Sequence, residues 1–134
     1  MTEAILEHAN ITVTDADKTA ENLCNLFGWH VRWAGEVLGG IGRSVHVGTE
    51  NHYLALYAPK RPVKGNIDHY DKALSGTLNH IGLVVDDLDA MEKRVKDAGY
   101  STHMHSDYEP GRRFYFDFDD GIEIELVSYD TSSA

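Results

Sequence analysis

The sequence has one cysteine, three prolines, no apolar run near the length of a membrane span, and few basic side chains. Each scarcity excludes something. A single cysteine, Cys24, cannot form an intrachain disulfide, which suits a reducing compartment. Within "ENLCNLF" it shares a helical face with Ala20, Leu23 and Phe27, so core comes first and reactive thiol second. Without about twenty consecutive apolar residues, no membrane helix is expected. The opening "MTEAILEHAN" has neither a basic region nor a cleavable apolar stretch, so the expected location is cytoplasmic. Twelve Lys and Arg are scattered among 22 Asp and Glu, for a net charge of −10. A duplex-binding surface needs the reverse balance, so nucleic acid is not an expected partner. The acidity suits solubility and, equally, a cationic ligand.

What is present is a repeat. "LEHANITVTD" and "LNHIGLVVDD" each read as a strand with histidine third, and His8 and His80 lie 72 residues apart (80 − 8). Asp15 and Asp87 stand in matching places as helix N-caps, with Asp86 an alternative to Asp87. The first helix is expected over 16–27 and ends at Gly28; the second over 88–98, with Leu88, Met91 and Val95 apolar, and ends at Gly99. "FGWHVRW" and "AGYSTHMH" then enter a second strand. Two further strands follow in each half, "GRSVHVG" and "HYLALYA", then "RRFYFDFD" and "GIEIELVSY", joined by the turns "GTEN" and "DDG". The expected organisation is one domain over 1–134. Unit one covers about 5–58, a polar linker 59–77, unit two about 78–129, and a frayed tail 130–134.

Side chains alternate across a strand. Ala9, Ile11 and Val13 would face the helix, leaving His8, Asn10 and Thr12 opposite; Ile81, Leu83 and Val85 would do the same, leaving His80. In the last strand Ile122, Ile124 and Leu126 face the helix, and Glu123, Glu125 and Val127 face away. Two imidazoles and a carboxylate suffice to hold a divalent metal with positions left open. The pattern alone leaves solvated or structural histidines as the alternative, because their spacing is long-range.

These residues resemble the vicinal oxygen chelate superfamily, which includes glyoxalase I, extradiol dioxygenases, methylmalonyl-CoA epimerase, fosfomycin-resistance enzymes and bleomycin-binding proteins. The resemblance runs over 6–129 and is most specific in "LEHANITVTD", "LNHIGLVVDDLDAMEKRVKDAGY" and "FYFDFDDGIEIEL". It implies an α+β fold of two βαβββ units, with a curled mixed sheet forming a cleft and the helices outside. It also implies one divalent ion (Mn, Fe, Ni, Co or Zn) held by His8, His80 and Glu125. Glyoxalases place a fourth ligand in the last strand of the first unit; here that strand reads "LAL", and Ala55 occupies the place. Three protein ligands are closer to the fosfomycin-resistance and extradiol branches. The extradiol branch carries a histidine just before its "FY" strand, where this chain has Arg112 and Arg113, although His103 and His105 lie one strand earlier.

The implied function is a metal-dependent lyase, isomerase, transferase or ring-cleaving dioxygenase acting on a small oxygen-bearing substrate. Arg113, favoured over Arg112, is a candidate for binding a substrate oxyanion, with an ordinary strand-edge charge as the alternative. Tyr57 and Asn10 are further binding candidates. Tyr53, Tyr115 and Glu123 are catalytic candidates, against aromatic packing or a solvated rim. His46 is expected on the helix-facing side. It is given no role, nor are His30, His52 and His69. Trp29 and Trp33 are expected as core or dimer contacts. The competing class is a non-catalytic drug- or metabolite-binding protein of the bleomycin-resistance kind. A homodimer is expected from either.

Overall fold

Among the described residues, two α-helices and eight strands follow from the alternation and the caps. A computed structural model describes residues 3–61, 75–108 and 111–129. The chain divides into two compact units, Met1–Gly65 and Asn66–Ala134. Unit one runs β1 (His8–Thr12), α1 (Ala16–Phe27), β2 (His30–Val37), β3 (Gly42–Gly48) and β4 (Tyr53–Pro59). Unit two repeats the order with β5 (Ile81–Val84), α2 (Leu88–Asp97), β6 (Thr102–Tyr108), β7 (Gly111–Asp117) and β8 (Glu123–Ser128). Each builds one four-stranded mixed sheet, ordered β1-β4-β3-β2 and β5-β8-β7-β6. The first and last strands of each unit pair in parallel, and the other pairs are antiparallel. These are the two expected βαβββ units. Most of the expected linker and all of the tail lie outside the described residues, as does His69.

α1 starts where Asp15 accepts a hydrogen bond from the Lys18 N–H at 3.0 Å. It stops at Gly28, whose φ of 71° is cheap only without a Cβ. Asp87 caps α2 in the same way through the Ala90 N–H at 3.0 Å. Asp15→Ala is expected to cost about 1 kcal/mol, read as a shifted urea midpoint at unchanged slope. The buried face of α1 is Ala16, Thr19, Ala20, Leu23 and Leu26. Cys24 and Phe27 are only half-buried, so the face sits further round the helix than the sequence suggested. Partial burial pushes the Cys24 thiol up and away from a reactive thiolate.

α1 packs on β3 and β4, where Val45, Val47 and Leu56 are buried. In unit two Phe114, Phe116, Phe118, Ile122, Ile124 and Leu126 form the core with Leu88 and Val95 of α2, as alternation predicted. A polar clamp ties α2 to β6: Glu92 Oε2 accepts from Thr102 Oγ1 and pairs with His105 Nε2, both at 2.5 Å. Burial by itself raises the Glu92 carboxyl, but the hydrogen bonds from Thr102 and His105 outweigh it and hold the group below the ordinary range. A carboxylate so depressed contributes stability that is present above its unfolded value and lost as pH falls through its folded one. Mild acid, below the ordinary 4.5, is therefore expected to loosen α2 from β6. Glu92→Gln should flatten that part of the stability profile. No helix among the described residues is long and apolar enough to cross a membrane.

Candidate metal centre

With Phe114, Phe116, Ile124 and Leu126 turned toward α2, the alternate residues of β7 and β8 must face the other way. That face holds Glu125, paired across the sheet with Tyr115 on one side and Gly82 on the other. His80 precedes β5 by one residue, and its Nε2 lies 3.0 Å from Glu125 Oε1. The second carboxylate oxygen, Oε2, accepts from Arg113 Nη1 at 2.9 Å. Both side chains of that pair are almost enclosed, at 11% exposed for Glu125 and 13% for Arg113. The Tyr115 ring sits edge-on to the His80 ring, with centroids 5.6 Å apart.

The His80 ring is oriented from behind as well. Its Nδ1–H donates to Asn79 Oδ1 at 2.8 Å, which leaves Nε2 as the outward donor atom. Two atoms bound to one metal ion at about 2.1 Å and a right angle lie about 3.0 Å apart. The His80–Glu125 ion pair has that separation, and its nitrogen and oxygen donors are of the types that suit a divalent ion.

Unit one repeats half of this. His8 Nδ1–H donates to Glu7 Oε1 at 2.8 Å, so the residue just before each histidine takes the same proton. The hydrogen bond from His8, then that from Tyr53, holds the Glu7 carboxyl below the usual range. His8 pairs across the sheet with Tyr53, and Asn10 with Ala55. Gly82 with Glu125 is the counterpart of Asn10 with Ala55, so Ala55 stands where unit two has its carboxylate. What fills this face instead is a ladder of rings. His8 stacks on Tyr53 at 4.9 Å, Tyr53 on His46 at 4.7 Å, and His46 leans on Trp33 at 5.1 Å. Arg32 lies over the Tyr53 ring, 4.4 Å from its centroid.

One expectation fails here and another narrows. His46 was expected toward the helix, but Val45 and Val47 take that side, so Ser44 and His46 face the ring ladder. Burial, then the neighbouring His8 and Arg32, lowers the His46 imidazole and favours its neutral form. Trp33, expected as a core or dimer contact, is 47% exposed, which leaves the dimer contact of the two. Trp29 is half-buried against Phe27.

The other candidates fall into place by register. Tyr57 lies opposite Thr12 and Ser44 on the His8 face, beside Asn10. Arg113 and Arg112 point to opposite sides: Arg113 to Glu125, Arg112 to Asp89 of α2 at 2.9 Å. Arg113 thus meets the carboxylate first, whatever it does for a substrate. Glu123 and Tyr115 share the Glu125 face, while His103 faces Tyr115 and His105 faces α2. His30 pairs with Glu50 at 3.1 Å, away from these groups. Asn79 and Glu7 were missed; the signal was a hydrogen-bond acceptor immediately before both repeated histidines. Two hollows of about 370 and 240 Å³ flank α2, and neither includes His80 or Glu125.

No curated protein matches the chain. Among solved structures, SMU.1112c shares 19% identity with a TM-score of 0.78, the alignment covering 94% of this chain and 99% of that one. A glyoxylase/bleomycin resistance protein/dioxygenase domain from Frankia sp. EAN1pec shares 18% with a TM-score of 0.75, covering 96% and 93%. The fosfomycin resistance protein FosX from Listeria monocytogenes, complexed with Mn(II) and a sulfate ion, shares 18% with a TM-score of 0.70, covering 98% and 97%. At such identities these likenesses speak for the fold. The family model matches residues 5–126, and the chain belongs to the Glyoxalase/Bleomycin resistance protein/Dioxygenase superfamily.

Proposed function

We propose that this chain is a divalent-metal-dependent enzyme whose ion is held by Nε2 of His8, Nε2 of His80 and Oε1 of Glu125. The observation that carries it is the His80–Glu125 separation of 3.0 Å, with both histidine Nδ1 protons engaged by the preceding residue. Nitrogen and oxygen donors suit Mn²⁺, Fe²⁺, Ni²⁺, Co²⁺ or Zn²⁺. When bound, the ion would supply Lewis-acid polarisation of a substrate oxygen and favour an enolate or alkoxide. The chain's own residues prepare the place. Arg113 fixes Glu125 Oε2 so that Oε1 alone faces His80, and Tyr115 and Tyr53 hold the two imidazole rings by contact. Asn10 and Tyr57 are the proposed substrate-binding groups, and Arg113, seated on Glu125 Oε2, is the proposed charge beside a substrate oxyanion. Tyr53, Tyr115 and Glu123 are the candidates for moving a proton.

Lyase, isomerase, transferase and dioxygenase chemistry all remain within this proposal. So do a single cytoplasmic domain and a homodimer, supported by the family and the composition. The second reading, a non-catalytic ligand-binding protein, is supported by the ladder of His8, Tyr53, His46 and Trp33, a stacking surface that needs no metal.

The test is metal per chain on protein purified without a metal-binding tag and reloaded with each ion separately. His80→Ala is expected to lose one bound ion per chain with an unchanged circular dichroism spectrum. Equal metal in the variant and the parent would refute the ligand set.

A further inference from the structure

A second group of donors lies on the same face of unit two, at the other end of β8. Ligand atoms of His103 on β6, Asp117 on β7 and Glu123 on β8 all lie within 4.8 Å of one another. Two features of the group are unfavourable as they stand. Asp117 and Glu123 are directly opposite in the β7–β8 register, where like charges repel. His103 Nε2 is itself shielded and makes no hydrogen bond, although the imidazole side chain is 36% exposed and pairs with an Asp117 oxygen at 3.7 Å. A shielded nitrogen facing two carboxylates is what a cation would satisfy.

The backbone places His103 on this face. Thr102 donates to Glu92 on the α2 side and His103 pairs with Tyr115 on the other face. The register then shifts between His103 and Ser106, and Met104 takes a φ of 53°. This is a bulge, an extra residue that breaks the alternation. It sends His105 back to Glu92 while His103 stays with the acids. Without it, both histidines would share one face. Met104 holds this left-handed conformation without being glycine, at some cost in strain.

We propose that His103, Asp117 and Glu123 form a second divalent-cation site, separate from His8, His80 and Glu125. Two carboxylates and one imidazole suit Zn²⁺ or Mn²⁺. Bound ligand atoms lie about 3–4 Å apart, which the 72%-exposed Asp117 side chain reaches by rotating. Glu123 precedes Glu125 by one pleat repeat, about 7 Å along β8. An ion there bridges β6, β7 and β8, cancels the Asp117–Glu123 repulsion and steadies the strand that carries Glu125.

The experiment counts Zn²⁺ and Mn²⁺ bound to the full, chelator-stripped chain by calorimetry and by metal analysis after dialysis. The parent is expected to bind two ions per chain. His80→Ala should keep one, and Asp117→Asn with Glu123→Gln should keep the other. His103→Gln should weaken the second ion by at least about tenfold, as a check against misfolding of the double variant. Metal-free Asp117→Asn should be no less stable than the parent, since a repulsion is removed, and its melting point should no longer rise as far with metal. A parent with one ion that only His80→Ala loses overturns this second site and leaves the first. One ion that only the acidic double variant loses overturns the first and upholds the second. No binding of either metal overturns both.

Discussion

Glu125→Ala is expected to lose one metal ion per chain, with affinity at that site falling more than a hundredfold. Loss of an outer partner of a ligand alone costs about 10–100-fold, and here a ligand itself is removed. The fold should suffer too. Arg113 is 13% exposed and donates to the Glu125 carboxylate, so truncation removes that charge while Gly111 O still accepts from the guanidinium. Breaking a buried pair from one side costs up to about 3–5 kcal/mol, and less where the remaining charge keeps other hydrogen bonds. Glu125→Gln separates the two effects. Its amide oxygen can still accept from Arg113, so stability should hold within about 1–2 kcal/mol while metal is lost. Urea melts and metal analysis on both variants read the difference. If Glu125→Ala melts with the parent, the enclosed pair carries no such weight; if Glu125→Gln keeps all its metal, Glu125 is not a ligand.

Ala55→Glu should have opposite effects with and without metal. Ala55 is 2% exposed and lies between Asn10 and His46 in the sheet. A longer, charged side chain there overpacks the face and buries a carboxylate, for a metal-free loss of roughly 2–4 kcal/mol. The position matches Glu125 of unit two, so the new carboxylate should act as a fourth ligand. Metal affinity is then expected to rise about tenfold, and saturating metal to recover the lost stability. Calorimetry and melts at several metal concentrations test both. A destabilised variant whose affinity is unchanged would mean that Ala55 does not border the ion.

The helices were legible because their ends are chemical: Asp15 and Gly28 mark α1 as plainly in the sequence as in the structure. The faces of β7 and β8 were legible too, since Phe114, Phe116, Ile124 and Leu126 leave little choice about which side is core. Where alternation was applied to β3, the phase was taken wrongly; Val45 and Val47 flank His46, and two valines outweigh one imidazole for the apolar side. The split between His103 and His105 could not be read. It depends on one inserted residue, Met104, that no periodicity announces. The Arg113–Glu125 contact was hidden for another reason. Alternation put both on one face, but only the β7–β8 register brings them together, and Arg113 was assigned to a substrate instead.

The exchange of Glu125 for Ala55 between corresponding positions has a consequence for any attempt to simplify this protein. A chain rebuilt from two first halves would carry imidazoles with stacked rings beside them and no carboxylate in the strand to anchor an ion. One rebuilt from two second halves would carry two carboxylates, each already bound to its own arginine. Neither hybrid would carry the proposed set of two imidazoles and one carboxylate. Under the proposed ligand set the two copies are not interchangeable: the first brings an imidazole alone, the second an imidazole with a carboxylate.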